Sequence, residues 1–599
     1  MKTRMQNCRM PLMMMPMALC ASAGLAGTPG VLAHVPDSTE VYVVVPNVGG
    51  LLGDLAALNT ALAGKLPPDA AAAGMGLFFA QSIVNQPGFD AGGSAAVMLK
   101  LPEGGLAAGE EPEATILLPI SDLESFTKAP FMAGQGATFD GGVASLNMDG
   151  QPLHMRDLGD YTVASNNKDA VMAFEAGEYL AAHTKALGEG GAGAVEASDL
   201  MVVGNLGQLD GLIGELMSQM EQQMNFMAMM GGGDQVMQGF RAIESAMTIV
   251  REDGSVGMLS IDTGADGIAF DMGVSFKEGT ESAATFNAPS DSGALLGALP
   301  NDNFLMAYSL DSSADGLRGL LSKMAEMQQA QAGGMDMGWA ATLEHATGAS
   351  GMVGTPAAAM GGAGLLSKQI TYTRAADTTK AVAAMANSLG EMDGQSMMGM
   401  KYATSYDADG GEVAGVKVGT YSIKTSMDNS GGAGGGSPMG MMMDPAMINS
   451  MLFGMSGGPS GYVATVDGGY YTTMSKNSEL LTAAMEAGKV GEGLGASELL
   501  QKVQSKLQPG RFSEAYVSLD QVFNTIGPFA QMMGMVDAFE PMEAMQPMGL
   551  SAAATGGGLR ARMYWPADTL GNVIEFASQF EDAGGMGGGM GGGDSEPDF

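Results

Sequence analysis

One pentapeptide of the chain has the residue types of a hydrolytic nucleophile. Gly454-Met455-Ser456-Gly457-Gly458 fits the G-x-S-x-G pattern, in which a turn between a buried strand and a helix exposes a serine hydroxyl. A short apolar run precedes it, but the glycines and proline of residues 457–461 are poor helix formers. A serine hydrolase using Ser456 is therefore one hypothesis, and a chance match in a glycine-rich chain is the simpler interpretation.

The histidines give no metal-binding or catalytic pattern. There are four: His34, His154, His183 and His345. None are spaced at i, i+4, and no H-x-H or H-E-x-x-H occurs, so they lack the spacing with which zinc sites are built on one element. Isolated core or surface histidines are the expectation.

Acidic residues near position 409 resemble part of a calcium loop. Asp407-Ala408-Asp409-Gly410-Gly411 lacks the third oxygen ligand and the glutamate at the twelfth position that such a loop needs. The stretch is better explained as a turn between two strands, and the same holds for residues 262–267.

Methionine is the one unusual source of binding chemistry. Residues 206–229 place apolar side chains on one stripe of a predicted long helix: Leu209, Leu212, Ile213, Leu216, Met220, Met224 and Met227. A helix facing the core explains the stripe, and a deformable groove for a hydrophobic ligand is the functional alternative. The run 439–443 could hold Cu(I), although its crowded placement is more typical of a low-complexity loop. We therefore predict no catalytic, cofactor-binding or metal-binding residue and no cofactor.

The first 23 residues predict a cleavable signal peptide. Lys2, Arg4 and Arg9 precede an apolar run too short to span a membrane, and residues 21–23 (ASA) form a small-x-small cleavage pattern. A second candidate cut follows Ala33. Cleavage removes both cysteines of the chain, so the exported protein would contain no thiol, disulfide or cysteine metal ligand.

Composition excludes several classes of partner. The 599 residues are 46% hydrophobic and 15% charged, which is enough apolar material for two domain-sized cores. The net charge is −38, and it becomes −41 when the three basic leader residues are removed. Such a surface repels phosphate, so we expect neither nucleic acid nor an anionic membrane surface as a partner.

Internal repetition is the most informative feature of the sequence. Residues 159–177 (GDYTVASNNKDAVMAFEAG) match residues 469–488 (GYYTTMSKNSELLTAAMEAG) as a strand followed by a helix. In both copies an asparagine, Asn167 or Asn477, stands where it can cap the helix. Residues 35–47 similarly match residues 299–311, with Pro36 on Pro300.

Three further pairs of segments match, and they keep the same order along the chain. Residues 197–200 (ASDL) match 496–499 (ASEL), and the strand and helix start after them also correspond. Residues 120–126 (ISDLESF) resemble residues 373–382 (TRAADTTKAV), and each of these segments follows a β-run. TGADGIAFDM at 263–272 resembles TGGGLRARM at 555–563. Five segments in a common order predict a tandem duplication.

The predicted fold class is α+β, with two homologous halves, each a mainly antiparallel sheet that carries helices on one face. The predicted boundaries are residues 1–23 (signal peptide), 34–288 (first half), 289–580 (second half), 388–400 and 430–445 (mobile Gly/Met-rich insertions), and 583–599 (disordered tail).

A Pro-Asp-led strand, a leucine helix and a Tyr-Thr strand with an Asn-capped helix resemble exported bacterial proteins of unknown function. The resemblance implies a duplicated α/β-type fold and no catalytic residues. We expect a soluble, non-enzymatic periplasmic or secreted protein that binds or scaffolds an envelope component. A carrier of a hydrophobic small molecule or lipid is the first alternative, and a serine hydrolase is the second.

Overall fold

The computed structural model describes residues 29–583 apart from several internal segments. Those segments are residues 66–70, 103–111, 149, 178–197, 212, 215–216, 219–246, 332–343, 357–363, 398–399, 428–449 and 533–538. The predicted signal peptide, the insertion at 430–445 and the tail after Ala583 therefore lie outside the described residues, as does most of the predicted methionine helix.

The paired strands of the described residues belong to one antiparallel sheet of 21 strands. Ten come from the first part of the chain: β1 (Val41–Val45), β2 (Ala95–Lys100), β3 (Glu113–Leu118), β4 (Thr138–Asp140), β5 (Val143–Met148), β6 (Gln151–Asp157), β7 (Thr162–Ser165), β8 (Leu200–Asn205), β9 (Gly254–Gly264) and β10 (Gly267–Phe276).

The other eleven strands come from the second part of the chain. They are β11 (Phe304–Asp311), β12 (Ala346–Gly354), β13 (Gln369–Ala375), β14 (Ser396–Met397), β15 (Met400–Val413), β16 (Val416–Met427), β17 (Ser460–Val466), β18 (Gly469–Thr473), β19 (Arg511–Val517), β20 (Met548–Ala554) and β21 (Gly558–Pro566).

The α-helices connect or flank these strands. They are α1 (Val48–Ala61), α2 (Ala71–Val84), α3 (Leu123–Lys128), α4 (Lys168–Ala173), α5 (Glu281–Thr285), α6 (Asp315–Gln331), α7 (Thr378–Met392), α8 (Ser478–Val490), α9 (Glu498–Gln504), α10 (Leu519–Met532) and α11 (Ala567–Ala583). Two 3₁₀-helices, Gly30–Ala33 and Gly293–Ala298, precede β1 and β11. No helix among the described residues is both long and apolar enough to cross a membrane.

The strands are arranged outward from a central pair, β10 and β21. On one side the order is β10-β9-β8-β1-β2-β3-β7-β6-β5-β4. On the other side it is β21-β20-β19-β11-β12-β13-β18-β17-β16-β15-β14. The antiparallel β10–β21 ladder joins the two sides. The predicted α+β class with a large antiparallel sheet is thus confirmed.

Helices cover both faces of this sheet. Neighbouring residues of a strand point to opposite faces, yet Val163 and Ala164 are both fully buried. Val163 packs in a cluster with Val31 and Leu32 of the first 3₁₀-helix, whereas Ala164 packs in another cluster that includes Phe126 of α3. The same happens in β18, where Tyr471 packs with α8 and α9 and Tyr470 packs with α7.

The prediction of helices on one face is therefore wrong. That prediction followed from strands interleaved with helices and hairpins, a pattern that does not decide how many faces of a sheet the helices cover. Central strands such as β7, with all four residues buried, instead lie between two layers of helices.

Local predictions are confirmed where backbone chemistry decides them. The Asn167 side chain accepts from the backbone amides of Asp169 and Ala170, and that of Asn477 accepts from the amide of Leu480, so both asparagines cap their helices. The predicted turn within residues 262–267 connects β9 to β10. These short-range features depend on few neighbours and are readable from sequence.

Two local predictions are corrected. Residues 407–411 form an irregularity within β15, where the amide of Asp409 donates to Oδ1 of Asp407, and the actual turn lies beyond them, at Ala414 and Gly415. The predicted insertion at 388–400 contains the end of α7, with Leu389 buried, followed by β14. Glycine and methionine content was therefore a poor guide to irregular structure in this segment.

Candidate functional site

Ser456 does not stand on a nucleophile elbow. It ends a 3₁₀ turn (Gly454–Ser456) that leads into β17, so a strand follows the serine where the elbow requires a helix. Its hydroxyl lies 2.7 Å from the carbonyl oxygen of Phe453 and 2.8 Å from that of Gly458, either of which can accept its proton. The serine therefore stabilises its own loop.

His34 and His154 contact different neighbours. Nδ1 of His154 lies 2.9 Å from Oγ of Ser145 on the neighbouring strand, and no described carboxylate hydrogen-bonds to that ring. The ring of His34 packs 4.7 Å from that of Tyr161, and burial lowers its pKa. His183 lies outside the described residues. Within the described parts of the chain, no group of three or more His, Cys, Asp or Glu could hold a metal ion.

The most concentrated set of charges lies at the centre of the sheet, where β10 pairs with β21. Asp271 is 5% exposed and accepts two hydrogen bonds from the guanidinium of Arg562, at 2.8 Å to Oδ1 and 2.7 Å to Oδ2. The two residues are directly opposite in the ladder. This bidentate geometry is the strongest form of a charge-assisted hydrogen bond.

Further donors surround the same carboxylate. Gln508 donates to Oδ1 of Asp271, Ser260 donates to Oδ2 at 3.2 Å, and Nη2 of Arg560 lies 3.6 Å away. Burial lowers the pKa of Arg560, and Asp271 opposes that shift. We call this set of residues the central charge cluster: Ser260, Asp271, Gln508, Arg560 and Arg562, in which one carboxylate faces two guanidinium groups.

A second carboxylate lies at the edge of this cluster. Burial and the nearby carboxylate of Asp199 together raise the pKa of Asp262 to about 6, against the opposing effect of Arg562. Asp262 lines a cavity of about 260 Å³, together with Asp54, Lys506 and Arg562. With Asp266 the lining holds three carboxylates and two cations, so groups of both charges face this cavity.

A different cavity, of about 190 Å³, lies beside the starts of α9 and α10. Asp520 lines it and is 3% exposed. Its Oδ2 accepts from Nε2 of Gln521 at 2.8 Å, whereas its Oδ1 is buried with no hydrogen-bond partner among the described residues. A buried carboxylate oxygen without a donor is rare in folded proteins, and it makes this cavity the best candidate for binding.

Sequence reasoning missed both sites. Asp271 and Arg562 occupy the same position of the matched segments GIAFDM and GLRARM. The opposite charges at this shared position were the only sign in the sequence that the two residues could pair. Asp520 follows a strand and begins a helix, a position where an acidic residue is ordinary. Nothing local in the sequence indicates that its carboxylate becomes buried.

Comparison with protein-family models, curated proteins and solved structures finds no match to this chain.

Substitution of Asp271 tests the central charge cluster. We expect Asp271→Asn to lower the free energy of unfolding by about 3–5 kcal/mol, because two buried guanidinium groups lose their carboxylate. Urea unfolding measures the change. The control is Asp210→Asn in the exposed pair of Asp210 and Arg251, whose side chains are 55% and 43% exposed, and it should cost at most about 1 kcal/mol. Equal losses in the two variants would contradict the central role.

The raised pKa of Asp262 predicts a pH dependence of stability. Its folded pKa of about 6 lies above the unfolded value of 3.8, so the folded state binds the proton first as the pH falls. The unfolding free energy contributed by this group therefore rises as the pH falls from about 6 to 4, by about 1 kcal/mol at most, since the side chain is 40% exposed and screened by solvent.

Asp262→Asn should abolish that contribution and stabilise the protein at pH 7. Urea titrations at pH 4, 5, 6 and 7 measure it as the difference between wild type and variant. Asp409→Asn removes an exposed charge on β15, so the difference in unfolding free energy between wild type and this variant should not change with pH. A flat difference for Asp262→Asn as well would show that the carboxylate titrates normally.

Proposed function

We propose that this protein is an exported, non-enzymatic scaffold made by tandem duplication, which acts by binding or organising a component of the cell envelope. The observation that carries the proposal is the strand order on the two sides of the β10–β21 ladder. The first side runs through ten strands and the second through eleven, and each strand of the first has a counterpart at the same place in the second. β14 alone, at the far end, is additional.

The registers of the central hairpins support the same proposal. In the first hairpin Leu259 is opposite Met272, and in the second Leu550 is opposite Met563. Both pairs are related by 291 positions along the chain, and both leucines are exposed. Two unrelated hairpins would have no reason to share register, residue types and exposure.

The central ladder has the geometry of a two-fold interface. Under the same 291-residue offset Asp271 corresponds to Arg562, and these two residues are directly opposite each other in β10 and β21. A pseudo-two-fold axis would therefore pass through this pair. In a symmetric dimer a residue on the two-fold axis contacts the identical residue of the other subunit, so the two charges are the same. The two copies within a duplicated chain can differ, and they can therefore place opposite charges at this position.

The region around each 3₁₀-helix also corresponds. Tyr161 OH lies 2.9 Å from Oγ of Ser94, which accepts from the amide of Val31 in the first 3₁₀-helix. Tyr471 OH lies 3.0 Å from the carbonyl oxygen of Ala298, which ends the second. Each tyrosine thus anchors the short helix that precedes the first strand of its half.

The envelope role draws support from surface chemistry. Leu259, Phe270, Met272 and Leu550 are exposed and lie together on the face of the central strands opposite Asp271. Exposed apolar side chains grouped on an otherwise acidic protein are typical of interaction surfaces. The proposed partner is an envelope protein that covers this face.

Processing of the leader gives a direct test of export. Val31 and Leu32 are fully buried in the cluster that contains Val163 of β7. Cleavage after Ala33 would therefore remove core residues, whereas cleavage after Ala23 spares them. We expect the exported chain to begin at Gly24. N-terminal sequencing of protein from the periplasm or medium tests this, and Ala23→Arg should block cleavage. A mature chain that begins at His34, or one found only in the cytoplasm, would overturn the proposal.

The non-enzymatic role is tested against the two alternatives. A fluorophosphonate probe should label wild type and Ser456→Ala equally weakly, and labelling that disappears in the variant would indicate a serine hydrolase. Native mass spectrometry of protein from its own host should give the bare chain mass. A co-purifying lipid would favour the carrier, whose predicted methionine helix lies largely outside the described residues.

A further inference from the structure

We propose that the cavity lined by Asp520 binds a primary ammonium group carried on a short aliphatic chain. The cavity lies between the loop Asn301–Asn303 and the starts of α9 and α10. Its volume of about 190 Å³ suits a small molecule or a single extended side chain. Asp520 is the group that would receive the cation.

The carboxylate of Asp520 is incompletely satisfied. It is 3% exposed, and no group in the described part of the chain hydrogen-bonds to its Oδ1, although its Oδ2 accepts from Gln521. Among the described residues no Lys, Arg or His forms an ion pair with it. Burial of a charged oxygen without a donor is unfavourable, and an ammonium supplies both an N–H donor and the opposite charge.

The position of this carboxylate is fixed from a distant part of the chain. Oγ1 of Thr355 donates to Oε1 of Gln521 at 3.0 Å, and the amide of Thr355 donates to the carbonyl oxygen of Asn303. Gln521 is therefore held while its own amide orients Asp520. Such support from a second layer of side chains is what a preorganised binding group requires.

The rest of the lining suits an alkylammonium better than a hydrated ion. No lysine or arginine lines the cavity. Ser497 caps no helix amide with its side chain, so its hydroxyl remains available to accept from the ligand. The apolar lining residues Phe304, Leu500, Met545 and Pro547 provide contacts for methylene groups. An ammonium has three N–H donors, and Asp520 and Ser497 offer acceptors for two of them.

The second carboxylate of the lining is already paired. Nζ of Lys368 lies 3.3 Å from Oδ2 of Asp302, whose Oδ1 accepts from the amide of Asn303. Asp520 is thus the unpaired carboxylate of this cavity. The net charge of −38 further raises the local concentration of small cations around the protein.

The site belongs to the second half alone, an inference that rests on the proposed duplication. In the matched segments NLGQ and SLDQ, Asp520 corresponds to Gly207. The first half therefore lacks the carboxylate, and one ligand per chain is expected. A failure of this stoichiometry would not affect the scaffold proposal, because export and strand order do not depend on it.

Isothermal titration calorimetry of the full mature chain with n-butylammonium and 1,5-diaminopentane, in at least 150 mM NaCl, tests the proposal. We expect one site per chain, and at least tenfold weaker binding to Asp520→Asn. Asp409→Asn makes the same change of charge on an exposed strand and should bind like wild type, which separates the site from general attraction of cations to the acidic surface.

Ala544→Trp provides a variant that removes no buried carboxylate. Ala544 is exposed at the cavity lining, so a bulky side chain there should obstruct entry while the circular dichroism spectrum stays unchanged. Equal binding by wild type, Asp520→Asn and Ala544→Trp would overturn the proposal. Binding of Ca²⁺ but of neither amine, lost in Asp520→Asn, would also overturn it by showing a metal site.

Discussion

The bidentate pair of Asp271 and Arg562 lies in the ladder that joins the two sides of the sheet, each of which would otherwise end in an exposed edge. β10 and β21 are each the last strand of their part of the chain, and an unpaired edge of nine or ten residues would be open to association with other chains. Pairing them hides both edges in one ladder. The buried charges at its centre fix the register, since a slip of one residue would move Asp271 to the opposite face from Arg562.

Both faces of the continuous sheet joined by β10 and β21 are buried over much of its area. Helices pack on both faces of the sheet. Val163 and Ala164, or Tyr470 and Tyr471, can therefore be neighbours and both belong to a core. Leu259, Phe270 and Met272 in the central strands are exceptions, since their side chains are exposed.

The proposed halves differ in the polar groups that they bury. The second places Glu514 in contact with Arg511, Ser309 and Tyr516, and leaves one oxygen of Asp520 without a donor. Glu514 is fully satisfied and stabilises its strand, whereas Asp520 retains binding capacity. This contrast, rather than the number of acidic residues, distinguishes a structural carboxylate from a candidate site.

The sequence by itself determined the features that depend on a few neighbouring residues: the helix caps at Asn167 and Asn477, and the β9–β10 turn. It also indicated repetition, because matched segments keep their order. Only the tertiary structure decided which strands meet and what becomes buried. Asp271 and Arg562 are 291 residues apart, and Thr355 and Gln521 are 166 apart. Such contacts leave no local periodicity, because the energy that selects them comes from packing across the sheet.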